Sequence, residues 1–520
     1  MITFLFSVAF LIVSYFVYGA YLDRALGIDP QREMPCKTRY DGVDYVPIPT
    51  WRVFLIQLLN IAGLGPVFGA IMGALWGPVV FIWIVLGGVF IGGVHDYVSA
   101  HISVREGGIS LTGIIQTYLG KNVLRVMLVM VMALLVMVGA VFVMGPARIM
   151  ADLFLTGEVT SAAAMSPDLP GSTAASGTTQ AAPGSASPAL SPSPASPDLK
   201  PFYATPVFWS IVIFIYYTLA TLLPIDALIG RVYPFFGAAM LAMVAMIIWE
   251  VFDGTLVLPE LSLQNLHPNG IGIWPVMMVT VTCGAISGFH ATQSPMMART
   301  LESERYSRGV FYGAMLTETL IALVWAGAAI GLFHGSTIDL KAALGAKNEA
   351  VNIVRAVGHL LGNWGTILIL LGVVALPITT GDTAFRSARL ILADLLSLDQ
   401  KCIGKRLMIS IPVFLIAFWL TMAKFDVIWG YFSWLNQTIS VFTLWACTVY
   451  LRSNKRNYFI TMLPALFMTA MCSSYIVIDA KTGFGMTPLI GNIAGALMAA
   501  ACAWFALARP APLPALAIAR

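Results

Sequence analysis

Six ionisable side chains fall inside or at the edge of stretches apolar enough to cross a membrane: His95, Asp96, His101, His290, Glu318 and Asp382. A charge at membrane depth is costly to hold, so such residues mark proton paths, ion paths or contacts with a polar solute. Glu318, on the apolar run Ala314 to Leu320, is the best placed to take up a coupling proton or to pair with His290. His290 suits a proton relay by its ordinary titration range, and equally a hydrogen-bonded structural role. His95, Asp96 and His101 lie near a cytoplasmic end; pairing with Arg105 and a proton path are both open to them. Thr379, Thr380 and Thr383, next to Asp382, offer hydroxyls that would hold Na⁺ together with freed carbonyls, or would cap a helix end. Asn436 and Gln437 add two amides in a late apolar stretch.

Two further segments carry no charge but cannot cross a membrane as plain helices. They are Asn60-Ile61-Ala62-Gly63-Leu64-Gly65-Pro66 and Cys283-Gly284-Ala285-Ile286-Ser287-Gly288-Phe289-His290. Unwinding a helix in hydrocarbon frees backbone N–H and C=O groups, and each left unpaired costs several kcal/mol. Breaks of this kind at corresponding places in two halves of a chain point to the solute site of a secondary transporter. Freed half-helix N-termini favour anionic groups and freed carbonyls favour cations. The candidate solute contacts are therefore Asn60, Gly63 and Gly65 in the first break and Gly284, Ser287 and Gly288 in the second, with Asn436 and Gln437.

The composition fixes the elements that must position these groups. The 520 residues are 58% hydrophobic and 10% charged, with a mean hydropathy of +0.84. A soluble domain carries roughly 25% charged residues, so the chain reads as an all-α polytopic membrane protein. Spans of about 20 apolar residues are expected at 2–22, 52–76, 78–103, 122–144, 206–223, 232–250, 272–294, 309–333, 364–380, 406–423, 427–451, 458–478 and 488–508, thirteen in all. The ninth looks short and is expected to unwind at Thr379 to Thr383. The first lacks the basic leader of a signal peptide and is expected to be retained. None of the six cysteines forms a CxxC pair. Neither a disulfide framework nor a zinc site is expected, no cofactor is implied, and nothing suggests nucleic acid as a partner.

Placing the N-terminus outside and alternating puts 22 of the 29 Lys and Arg residues on the inner side and seven on the outer. That bias matches the positive-inside rule and predicts an N-out, C-in topology. Residues 157–201, rich in Ala, Ser, Pro, Gly and Thr, read as a disordered and dispensable external insertion. Residues 336–363 place Ile338, Leu340, Leu344, Val351, Ile353, Val354, Val357 and Leu360 at helical spacing. One or two amphipathic helices on the outer face are expected, as a gate or as a passive cap. With the first span set aside, spans two to six and seven to eleven form two sets of five. An odd number per set inverts the second set, which is a 5+5 inverted repeat. The expected organisation is 1–50 (first span and loop), 51–250 (first repeat), 251–451 (second repeat) and 452–520 (two C-terminal spans).

The runs Ile61-Ala62-Gly63-Leu64-Gly65-Pro66, Gly92-Gly93-Val94-His95-Asp96-Tyr97 and Gly145-Pro146-Ala147 resemble those of the carbon starvation protein CstA family. So do Leu223-Pro224-Ile225-Asp226, Ile229-Gly230-Arg231-Val232-Tyr233-Pro234, Cys283 to Ala291, Asp382-Thr383-Ala384 with Arg386, Ala388 and Arg389, and Asn436-Gln437. Together they cover residues about 50 to 450, with Cys-Gly-Ala-Ile-Ser-Gly-Phe-His-Ala the most specific. The resemblance implies a bacterial inner-membrane carrier linked to the starvation response, taking up short peptides, or pyruvate with protons. It also implies a leucine-transporter-like core, whose broken first and sixth helices correspond to the second and seventh spans. The Na⁺-binding eighth helix of that core would be the ninth span, with Thr379, Thr380 and Thr383, and its outer gate loop would be 336–363. The chain departs from longer members in lacking their extra C-terminal spans, in the 157–201 insertion, and in Thr292-Gln293-Ser294-Pro295.

The expected function is secondary active import of a small organic solute, coupled to H⁺ or Na⁺, with His290, Glu318, Asp96 and Asp382 as candidates for coupling. An intramembrane enzyme is disfavoured by the lack of an HExxH motif and of an aspartyl pair. A channel or a membrane-embedded nutrient sensor is the alternative. The sequence leaves the oligomeric state open.

Overall fold

The computed structural model describes residues 1–42, 45–155, 201–222, 225–345, 349–396, 398 and 403–509. All regular structure among them is helical, as hydrocarbon demands of a chain whose backbone groups must be paired within each segment. In chain order the main helices are α1 (Ile2–Leu26), α2 (Thr50–Ile61), α3 (Gly65–Trp76), α4 (Val80–Arg105), α5 (Leu111–Leu119) and α6 (Lys121–Leu155). Next come α7 (Pro206–Leu222), α8 (Ile225–Phe252), α9 (273–280), α10 (His290–Ala298) and α11 (Glu304–Gly331). The outer pair α12 (Thr337–Leu344) and α13 (Ala350–Leu360) leads to α14 (Gly365–Ala393), α15 (Ile403–Leu420), α16 (Phe425–Ser453), α17 (Phe459–Ile478) and α18 (Pro488–Ala508). The expected insertion at 157–201 lies outside the described residues but for its last position.

Among the described residues, nine helices are long and apolar enough to cross a membrane, or ten when the bent pair α2 and α3 counts as one. The expected thirteen are not reached by that measure. The three remaining places hold the shorter apolar helix α7, the discontinuous pair α9 and α10, and the 29-residue α16. In α16, buried Ser433, Asn436, Gln437, Ser440 and Thr443 lower the hydropathy of a helix that is long enough to span.

The expected unwinding at Thr379 to Thr383 does not occur. A π-helical turn at Leu370–Ala375 precedes it, and Leu376–Leu395 is regular helix. The Thr379 and Thr380 hydroxyls donate to the Leu376 carbonyl at 2.7 and 3.1 Å, and Thr383 donates to the Thr379 carbonyl at 3.3 Å. Bonding back to the preceding turn lets a polar run stay helical in an apolar setting.

The centre of the bundle is made of α2, α3, α4, α9, α10, α11 and α16. Small residues let these helices touch, as is usual where lipid gives no hydrophobic drive for association. A Cβ on Gly65 would overlap the Cys283 side chain, and one on Gly88 would overlap Thr319. The amphipathic pair α12 and α13 buries Leu340, Leu344, Val351, Ile353, Val354 and Val357, while Ile338, expected on the same face, is 72% exposed. Salt bridges Arg148–Glu349 (3.5 Å) and Arg355–Asp152 (3.3 Å) tie this pair to α6.

Residues 253–272 cap the end of α3. The Trp76 indole N–H donates to the carbonyls of Ile271 and Gly272 at 2.8 and 3.1 Å. The His267 ring lies 4.5 Å from that of Trp76, and its Nδ1 accepts from the Asn269 N–H at 3.1 Å, which requires that nitrogen unprotonated. Burial, and then the nearby Lys341 charge, push His267 down to about 4. An unfolded chain titrates near 6.5 and so binds the proton first as pH falls. The neutral-His contribution is complete above about pH 6.5 and is lost as pH drops toward 4. Thermal unfolding of wild type should therefore lose stability across that window relative to His267→Gln. The gap between the two should be independent of pH above 7.

Candidate functional site

The two breaks differ in length. Between α2 and α3 only Ala62, Gly63 and Leu64 leave the helix, with a bend of 54°. Between α9 and α10 the nine residues 281–289 are non-helical. Side chains from other helices meet much of the backbone freed there. The Trp83 indole N–H donates to the carbonyls of Met278 (3.0 Å) and Val281 (3.2 Å). The Gln437 amide donates to Met278 at 3.0 Å and reaches Val279 and Val281 at 3.4 Å. Trp429 donates to the Thr280 carbonyl at 3.4 Å. At the far end, the Asn436 side-chain oxygen accepts from the Phe289 N–H (2.9 Å) and the Ser287 hydroxyl (3.1 Å). Its amide nitrogen donates to the Thr282 hydroxyl at 3.0 Å, and its backbone carbonyl accepts from the Gly288 N–H at 2.9 Å. A Cβ on Gly288 would overlap that carbonyl, so only glycine allows the approach. In this conformation Asn436 and Gln437 bind the break itself. Asn60, Gly63, Gly65, Gly284, Ser287 and Gly288 are all buried, with Gly65 packed on Cys283 and Gly284 on Ala322.

His290, the first residue of α10, takes its position from the end of this break. Its Nδ1 is 3.0 Å from Asp96 Oδ2 and its Nε2 is 3.3 Å from Glu318 Oε2. The other Asp96 oxygen is 2.7 Å from His95 Nδ1. The four side chains are 0% exposed, and among the described residues neither Glu318 oxygen has a hydrogen-bond partner. Three helices, α4, α10 and α11, thus bring two carboxylates and two imidazoles into one line. Such an array can hold a proton and pass it along the imidazole that links the carboxylates. Asp382 lies apart from it on α14, 3.2 Å from Arg386 one turn on.

Arg105 does not pair with Asp96. Nine residues, two and a half turns, set the two on opposite faces of α4. Arg105 instead holds both oxygens of buried Glu304, at 2.8 and 2.9 Å, and the Gly27 carbonyl at 2.7 Å. His101, on the same face as Arg105, lies 3.4 Å from Glu304, which also accepts from the Asp29 N–H at 2.7 Å. Nothing in the sequence separates Glu304 from the charged loop around it. Trp83, Trp429 and Cys283 were equally invisible as partners, since their roles depend on contacts between distant helices.

At the other end, on the side of the expected outer loops, is a cavity of about 670 Å³ lined by Arg148, Asp152, Glu349, Phe425 and Asp426 among others. Phe68, Phe425, Trp429, Phe432 and Phe142 form a chain of ring contacts with centroids 5.3 to 6.3 Å apart. This aromatic layer lies between the cavity, which Phe425 lines, and the longer break, which Trp429 touches.

The model of the family described as carbon starvation protein CstA matches residues 1–166 and 195–367. An uncharacterised membrane protein of Haemophilus influenzae is 39% identical over 62% of this chain and 89% of its own length. The peptide transporter CstA of Campylobacter jejuni is 25% identical over 89% of this chain and 78% of its own. The pyruvate/proton symporter BtsT of Escherichia coli is 25% identical over 61% of this chain, which spans 47% of that protein's length. Among solved structures, MhsT in complex with L-phenylalanine superposes with a TM-score of 0.54 at 11% identity, covering 87% of this chain and 98% of that one. The likeness bears on the fold alone and identifies a leucine-transporter-like core.

Replacing Asn436 by Ala should leave the Phe289 N–H buried without an acceptor. A loss of about 1–3 kcal/mol is expected, read as a lowered melting temperature of the detergent-solubilised protein.

Proposed function

The chain belongs to the carbon starvation protein CstA family, and on that premise we propose that it imports a short peptide or pyruvate across the bacterial inner membrane, driven by protons. That it is a multi-pass membrane transporter and not an enzyme follows from the family and its named relatives. The solute and the ion are our reading.

The observation that carries the proton reading is the buried line Asp96–His290–Glu318. His290 is attached directly to the longer break, so a rearrangement of 281–289 that admits a solute also moves the imidazole between the carboxylates. Solute movement and proton movement are coupled by that shared residue. The hydroxyls of Thr379, Thr380 and Thr383 donate within their own helix and keep oxygen lone pairs that could take Na⁺, so the preference for protons rests on the buried relay alone. Asp382, paired with Arg386, lies outside the proposed relay.

We place the solute between the breaks, against Asn60, Gly63, Gly65, Gly284, Ser287 and Gly288, in a conformation where Gly65 and Cys283 part. Asn436 and Gln437 would then change partners from the break to the solute. The aromatic layer would close the path outward and the Arg105–Glu304 cluster the path inward. We divide the chain as the inverted repeat suggests, into 1–50, 51–250, 251–451 and 452–520, with the N-terminus outside and the C-terminus in the cytoplasm.

Glu318→Gln is the direct test. In proteoliposomes with a proton gradient, the variant should lose accumulation of the solute identified by screening pyruvate and di- and tripeptides. It should keep its melting temperature and solute exchange without a gradient. Normal gradient-driven accumulation by this variant would remove Glu318 from the mechanism.

A further inference from the structure

The transport scheme gives the Cys283 thiol no chemistry, yet its Sγ, a nitrogen of His290 and an oxygen of Glu318 all lie within 4.8 Å of one another, buried. We propose that these three side chains form a binding site for a thiophilic divalent cation, with Zn²⁺ as the type case.

Four observations support it. The donor set is a thiol, an imidazole and a carboxylate, the types that zinc takes at about 2.0–2.3 Å. Ligands at those lengths around a tetrahedral ion are roughly 3.3–3.8 Å apart, so the triad must draw in by up to about an ångström to close on an ion. Beyond their mutual approach at 3.3 Å, His290 Nε2 and both Glu318 oxygens are buried without a hydrogen-bond partner among the described residues, which points to a ligand. Nε2 is the nitrogen turned toward Glu318, because Nδ1 is held by Asp96 at 3.0 Å. A carboxylate on the far nitrogen of a metal-binding histidine fixes the ring and strengthens it as a ligand.

The immediate surroundings also suit a thiolate. The Asn436 amide donates toward Cys283 Sγ at 3.5 Å and the Ser287 hydroxyl at 3.7 Å. A thiolate and a carboxylate neutralise a dication, and the Asp96 carboxylate stays outside the ligand set with one oxygen on each histidine. Binding releases the thiol proton and any proton held between His290 and Glu318. Three protein ligands leave a fourth position open, the pattern of zinc sites that exchange a ligand rather than of closed structural ones. The absence of paired cysteine motifs says nothing against such a site, since its ligands come from a break, a helix start and a separate span.

The test is spectroscopic and uses the full-length chain in detergent, titrated with Co²⁺ and then Zn²⁺. Wild type should develop a near-ultraviolet thiolate-to-cobalt charge-transfer band that saturates at one equivalent and is displaced by Zn²⁺. Cys283→Ala should abolish the band and Glu318→Gln should weaken binding at least tenfold. Asp96→Asn, which touches no metal, should cost about 10–100-fold in affinity. No band in wild type, or a band undiminished in Cys283→Ala, overturns the site. Should that variant fold poorly, Cys283→Ser and the wild-type spectrum still decide. The outcomes separate from those for transport: proton-driven uptake by a wild type without a cobalt band would remove the metal site alone.

Discussion

Hydrocarbon offers no hydrogen bonds, and a chain that leaves the helix at membrane depth must find them elsewhere. The last turn of α9 and the stretch 281–289 do so through three tryptophan and amide side chains at the start of the break and one asparagine at its end: Trp83, Trp429, Gln437 and Asn436. Each unpaired backbone group would cost several kcal/mol, so these contacts are a condition of the fold. They also fix which helices must be adjacent. Trp83 comes from α4, and Asn436, Gln437 and Trp429 come from α16, so the break can exist only where those two helices flank it.

The placement of the ionisable groups depends on the same constraint. His290 begins α10, and the Phe289 N–H just before it is held by Asn436. Anchoring the end of the break sets where the imidazole stands between Asp96 and Glu318. A buried line of carboxylates and imidazoles is costly unless each charge has a partner, and here His290 serves two carboxylates at once. In the mechanism we propose, a movement that frees Asn436 from the break would also loosen that pairing and so link backbone rearrangement to proton affinity.

Two different kinds of packing flank the buried centre. On the side of the expected outer loops lie the aromatic layer and a cavity of about 670 Å³ edged by Arg148, Glu349 and Asp426. On the other side, Glu304 gathers Arg105, His101 and the Asp29 N–H. One barrier is apolar and the other ionic.

The sequence by itself determined the solvent, the helical character and the positions of the two breaks. Apolar runs of about 20 residues need helices, and the Gly-rich runs near 62–64 and 281–289 interrupt them, whereas Gly145-Pro146 lies inside the continuous α6. It also singled out Glu318, His290 and Asp96, because charge at membrane depth is rare enough to be noticed without coordinates. It misjudged Thr379 to Thr383, where hydroxyls bonding back to the preceding turn kept a polar run helical. Tertiary structure alone decided the pairings: Asp96 with His290 rather than Arg105, Arg105 with Glu304, Cys283 beside Glu318, and Asn436 on the backbone of a segment about 150 positions away. Such contacts join residues far apart in the chain, and their distances depend on how helices pack, which local composition does not encode.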